Sequence, residues 1–308
     1  MDNFVFDDIR DGNTAILEDY WYFIDDETGQ VTFKTKMPNE LLNYGYVKFV
    51  VEGTVYITDL NGNVLLKSTE GRLSEDLKQL PYFNSETKYR TEERVNFDTS
   101  KYENVRLNFE WNNHKYYHVG KNEKYAVIDE AENIIIDYDY YPLYISEFNG
   151  KPCFTVIDPK TELYGVIDID KNTIIPFKKY SYLTSFAFFK DEKSYLCAKN
   201  AETGLCGIID INENIVIPFM YDEIHDWNIC TLRKTIQVVY KGKCGIIDIN
   251  NNILLPFKYK YICSFADEYN LNQCSLAENL DGKWGIINRQ GNAVEINLEN
   301  IKELILKG

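Results

Sequence analysis

The sequence predicts an all-β chain, a tandem array of about seven or eight units of ~40 residues, each with three antiparallel strands. Such an array runs as an open β-solenoid or, as the alternative, closes as a β-propeller. Three observations carry the prediction. The phrase "CGIIDINENIVIPF" from Cys206 returns as "CGIIDINNNILLPF" from Cys244 with hardly a change. Related phrases start at Tyr125, Tyr164 and Trp284, so the steps along the chain are 39, 42, 38 and 40 residues. Each phrase sets two short runs rich in β-branched residues on either side of a polar turn, which is the grammar of a hairpin. The period also suits a four-stranded propeller blade; three strands per unit and an irregular middle lean toward the open form.

Taken in order, residues 1–66 hold two faint copies, "WYFIDDETGQVTF" from Trp21 and "VYITDLNGNVLL" from Val55. Residues 67–118 form an irregular insertion or a degenerate repeat, charged and poor in strand pattern. Within it Ser74 of "SEDLKQL" is expected to cap one or two helical turns that stop before Pro81, and a similar short helix is expected after Asn39. Residues 119–308 carry the regular copies, and the whole reads as one continuous array.

Inside a unit, Asp25, Asp59, Asp129, Asp168, Asp210, Asp248 and Asn288 open the turn. Glycine at the fourth turn position, as in "DLNG" and "NRQG", suits a left-handed backbone; Lys171, Glu213 and Asn251 must adopt it at some cost. Pro176, Pro218 and Pro256 follow the second run and belong at a strand end or a sheet edge, since proline donates no ladder hydrogen bond. An aromatic segment comes next ("FMYDEI", "FKYKYI"), then a third strand such as "TIQVVYKGKCG".

Trp284 and Gly285 in "KWGIINRQGNAVEI", with "YGVID", "CGIID", "IPF" and "YDEI", resemble the WG β-repeat family of bacterial proteins. The likeness is good over residues 121–301 and weaker over 1–66, and tryptophan stands in the first column only at Trp21 and Trp284. The resemblance implies a repeat scaffold for interaction and names no substrate.

Composition narrows the partners. The formal charge is −15, from 48 acidic against 33 basic residues, which disfavours nucleic acid and anionic membranes and suits a protein partner with a basic surface. The N-terminus shows no signal-peptide pattern and no apolar run is long enough for a membrane helix, so a cytoplasmic location is expected. Seven scattered cysteines without a CxxC pair read as buried hydrophobes in a reducing compartment. The recurring D-x-[DN]-x-N resembles the opening of a calcium loop, but Thr173, Ile215 and Ile253 stand where that loop needs glycine, so turns are expected and no metal. His114 and His118 share one strand face about 13 Å apart, too far for one ion. His225 reads as an ordinary surface residue. Nothing resembles an assembled nucleophile or phosphate cradle, so no catalytic residue, cofactor or enzyme activity is expected.

Tyrosine is in excess, at 24 residues. The candidate interaction surface is therefore Tyr140, Tyr141, Tyr182, Tyr221, Tyr259 and Tyr261 with Asp222, Glu223, Asp226 and Trp227, since tyrosine gives contact area at little rotamer cost. The expected function is a non-enzymatic scaffold that binds a protein through this aromatic and acidic surface. The alternatives are an acidic decoy that occupies the basic groove of a nucleic-acid-processing enzyme, such as a bacterial defence nuclease, and a glycan- or wall-binding repeat. Oligomeric state is left open.

Overall fold

A computed structural model describes the chain except residues 1–2, 12–13, 26–27, 37–38, 43–45, 81–94, 96, 123, 139–140, 149, 188–193, 231–234, 264–273 and 307–308. The chain is all-β, and its sheets are antiparallel. Strand β1 (Phe4–Phe6) comes first, followed by a sheet of β2 (Asp8–Asp11), β3 (Thr14–Leu17), β4 (Tyr20–Ile24) and β5 (Val31–Thr35). The next contains β6 (Asn39–Leu42), β7 (Tyr46–Val51), β8 (Thr54–Thr58) and β9 (Val64–Thr69). After a short helix α1 (Leu73–Asp76) and 3-10 turns at Leu77–Gln79 and Thr99–Lys101 comes a sheet of β10 (Asn104–Trp111), β11 (His114–Lys121), β12 (Lys124–Asp129) and β13 (Ile134–Ile136).

A seven-stranded sheet follows, of β14 (Tyr141–Phe148), β15 (Lys151–Ile157), β16 (Tyr164–Asp168), β17 (Thr173–Ala187), β18 (Ser194–Asn200), β19 (Cys206–Ile209) and β20 (Ile215–Tyr221). It is two four-stranded groups sharing β17, whose first part pairs with β16 and whose later part, from Tyr180 on, pairs with β18. Then come β21 (Glu223–Cys230), β22 (Thr235–Tyr240), β23 (Lys243–Asp248) and β24 (Ile253–Tyr259). The last sheet orders β25 (Tyr261–Ile262), β26 (Cys274–Glu278) and β27 (Trp284–Asn288), with β1 as its fourth strand.

The chain divides into two compact units. One comprises Met1–Tyr89, Lys243–Gly245 and Leu255–Gly308; the other, Arg90–Gly242 and Ile246–Leu254. In the first unit Phe6, Ala15, Tyr22 and Ile24 form a core with Cys274, Leu276, Trp284 and Ile286, so the first and last sheets pack on each other. Residues 302–304 run along the outer edge of β5: Leu304 N–H donates to the Lys34 carbonyl at 2.9 Å, and Lys34 N–H to the Lys302 carbonyl at 3.0 Å. An open strand edge is covered by this contact. In the second unit, Phe154, Val156, Ile167 and Ile136 form one core and Ile175, Tyr180, Leu183 and Ile209 another.

Several expectations need correction. Units have four strands, because the aromatic segment is divided: Phe219 and Tyr221 end β20, whereas Glu223 begins β21 of the next sheet. Residues 104–118 belong to a regular sheet, so the break in the repeat is narrower than 67–118. Arg72 precedes α1 without a side-chain cap and Ser74 lies inside it. Residues 39–42 are a strand rather than a helix, its backbone paired in register with residues 46–49 of β7. The prolines, by contrast, stand on sheet edges as expected: β20 and β24 are outermost, and Pro176 precedes the part of β17 that pairs with β18.

Candidate functional site

The turn column shows why the units recur. Asp59, Asp129, Asp168, Asp210 and Asp248 each accept two backbone N–H bonds on Oδ1, from the second and fourth residues on, at 2.8–2.9 Å, as in Asn212 and Asn214 onto Asp210. In all five the following asparagine amide, such as Asn214 Nδ2, donates to Oδ2. The carboxylates that resemble a calcium loop are thus spent on their own turns. The fourth turn position is left-handed in six of the seven turns, with φ of 68° at Lys171, 60° at Glu213, 65° at Asn251 and 72° at Gly291; in the turn that Asp25 opens it is the fifth residue, Gly29, at 71°.

Neighbouring units are joined through this position. The Tyr180 hydroxyl donates to Glu213 Oε1 at 2.9 Å, Tyr221 to Asn251 Oδ1 at 2.5 Å and Tyr259 to the Gly291 carbonyl at 2.6 Å. Each tyrosine closes one unit and clasps the left-handed turn residue of the next. Burial raises the hydroxyl pKa of all three, so they remain donors at neutral pH.

That arrangement removes part of the expected surface. Tyr221 is 2% exposed and Tyr259 4%, so both are core clasps rather than contact residues. Tyr182 and Tyr261 are half-buried, their rings 5.5 Å from Tyr164 and 6.0 Å from Trp284. Asp222 locks a strand junction: its N–H donates to the Val239 carbonyl and its Oδ2 accepts from Gly242 N–H, both at 2.8 Å. Glu223 is exposed and reaches His225 Nε2 at 3.3 Å. Tyr140 lies outside the described residues; Tyr141, Asp226 and Trp227 have described backbone, in β14 and β21, but their side chains lie outside. His225 is 5% exposed, not a surface residue, because its Nδ1 sits 3.1 Å from Gln237 Nε2 on the facing strand.

A different column is exposed. Ile134, Ile174, Ile215, Ile253 and Leu254 in the second unit, and Val64 and Leu65 in the first, stand one or two residues past the turn, Ile215 at 62% and Ile253 at 60% exposed. A bulge causes this. The register slips between Ile208 and Ile209 and between Val127 and Ile128, so the first residue after the turn faces outward while Ile217 and Ile136 face the core. Aliphatic runs of this kind read as continuously buried, and only the left-handed fourth turn position signals the slip. The turns beside these residues are mainly acidic, although Lys101, Lys151 and Lys179 each pair with one of them, at Glu132, Asp168 and Glu213.

Residues 207–228 and 245–269 match the family model described as the WG containing repeat, so the chain carries repeats of that family. No curated protein sequence matches the chain. Solved structures with some likeness include the dihydro-heme d1 dehydrogenase NirN, at 11% identity and a TM-score of 0.36 over 92% of this chain and 63% of that one. PorZ of the Porphyromonas gingivalis type-IX secretion system matches at 9% and 0.33, over 95% of this chain but only 38% of its own. Hsv2p of Kluyveromyces lactis matches at 11% and 0.31, over 92% and 95%. Scores of this size do not establish a common fold.

Proposed function

We propose that this chain is a non-enzymatic repeat scaffold that binds a protein partner along the outer strands of the second unit. The observation that carries this reading is the exposed aliphatics just past the turn in successive repeats, Ile134, Ile215 and Ile253 five residues after the opening aspartate and Ile174 and Leu254 six residues after it. A single exposed isoleucine is ordinary; its return at each repeat gives a partner a periodic apolar contact. With a charge of −15 around it, the partner that fits is a protein whose apolar patch has a basic rim. A purely electrostatic decoy has no use for these aliphatics, and a glycan site would need aromatic faces that Tyr221 and Tyr259 keep in the core.

The arrangement that suits this reading is the propeller rather than the open solenoid, supported by the pairing of β1 with β27 and the packing of the first sheet on the last. A cytoplasmic location belongs to the same proposal and is supported by six cysteines buried in the core among the described residues. The experiment is affinity capture with mass spectrometry, using the full chain beside an Ile215→Ser, Ile253→Ser, Leu254→Ser variant. Basic proteins retained by the first and lost by the second support the proposal. Identical captures from both overturn it.

A further inference from the structure

The segment that interrupts the repeat builds a cavity of about 420 Å³ in the first unit. Its walls come from Thr54 at the start of β8, Lys67 and Thr69 on β9, Arg72 and Asp76 on either end of α1, and Gln79 from the 3-10 turn that follows. β9 is the outermost strand of its sheet, and Leu73 and Leu77 hold the helical segment beside it by packing with Leu66 against Val55, Ile57 and Leu80. Leu66 of this cluster is also part of the cavity wall.

The chemistry of the wall is unlike that of the chain around it. Among the described residues of the wall two cations, Lys67 and Arg72, stand with one acid, in a protein whose net charge is −15. That acid is already engaged: the Ser68 hydroxyl donates to Asp76 Oδ2 at 2.5 Å, and Arg72 Nη2 lies 3.8 Å from Oδ1. Ser68 itself is buried, so Asp76 is tied back to the strand. The Lys67 ammonium lies over the Tyr56 ring, 5.1 Å from its centroid.

The geometry points to a binding site for a small oxyanion that carries hydroxyl groups, of the sugar phosphate class. Lys67 and Arg72 take the oxyanion, since ammonium and guanidinium bond charged oxygens more strongly than neutral ones. Thr54, Thr69 and Gln79 exchange hydrogen bonds with hydroxyls. Among the described residues of the wall Leu66 is the apolar member and none is aromatic, which favours a ligand rich in hydroxyl groups over a nucleobase. The volume falls in the range of small-molecule sites, roughly 300–1,000 Å³.

Calorimetric titration and thermal shift of the full chain test this, with glucose 6-phosphate, inorganic phosphate and glucose as probes. Saturable binding of glucose 6-phosphate, weaker binding of inorganic phosphate and none of glucose is the expected result. The Lys67→Ala, Arg72→Ala variant should weaken the first by about tenfold or more, as loss of charged hydrogen bonds does, whereas Lys78→Ala, outside the cavity, should not. Both replaced side chains are exposed, and a Lys67→Gln single variant keeps the comparison usable if the double one unfolds. No saturable binding by the wild-type chain, equal binding of inorganic phosphate and glucose 6-phosphate, or unchanged binding by the variants overturns the site.

Discussion

At the scale of the residue, the recurring unit rests on an aspartate, a left-handed residue and a glycine with no room for a side chain. Lys171 holds a φ of 68°, which a side chain adopts at a cost. Lys171→Gly should therefore raise stability by up to about 1 kcal/mol, net of the extra freedom glycine gives the unfolded chain, as read from a denaturant midpoint. The opposite is expected at Gly245, where a Cβ would lie 2.5 Å from the Phe257 ring and 2.8 Å from the Leu255 carbonyl. A backbone oxygen cannot step aside, so Gly245→Ala should cost about 1–3 kcal/mol in the same assay. Asp168 adds a pH dependence. Burial works against its ionised form, but the hydrogen bonds from Lys151 and from Asn172 outweigh it and hold the carboxyl below its ordinary value. A group depressed in the folded state contributes stability above its unfolded pKa and loses it as pH falls through the folded one. The melting temperature should drop below about pH 4, and Asp168→Asn should flatten part of that drop.

At the scale of the element, the clasp between units and the identity of the fourth strand matter most. Tyr221→Phe removes the bond to Asn251 and should cost about 0.5–1.5 kcal/mol while leaving the sheet intact by circular dichroism. The fourth strand explains an oddity at the N-terminus. Residues 4–9, "FVFDDI", repeat the pattern of "FMYDEI" at 219–224, and they play the same part: the Phe4 ring lies 2.8 Å from a Cβ built on Gly285, much as Phe219 crowds Gly207. Phe6 faces Trp284 in the register where Tyr221 faces Cys206, and Asp7 N–H reaches the Ile16 carbonyl as Asp222 N–H reaches that of Val239. The last repeat is therefore completed by the first residues of the chain, and Phe6→Ala should cost about 3–5 kcal/mol.

At the scale of the whole molecule, legibility in the sequence followed distance along the chain. The aspartate column, the turns and the left-handed position were readable because each is closed within five residues, as from Asp210 to Asn214. The four-strand count was not, since the aromatic segment looks uniform and only pairing shows that Tyr221 and Glu223 serve different sheets. β1 was missed because its partner strand lies at the opposite end of the sequence. His225 was misplaced because its cover comes from Gln237 across the hairpin. The tyrosine surface failed for a related reason: a hydroxyl that meets a turn some thirty residues on is a structural group, and spacing alone cannot tell it from a contact residue.

Amide hydrogen exchange across residues 3–7 and 284–288 tests most directly whether the two ends of the chain share one sheet. The amides of Phe6 and its neighbours should exchange as slowly as those of Ile286 and Ile287, and Phe6→Ala should speed both segments together. Fast exchange at residues 3–7 beside slow exchange at 284–288 would contradict the shared sheet.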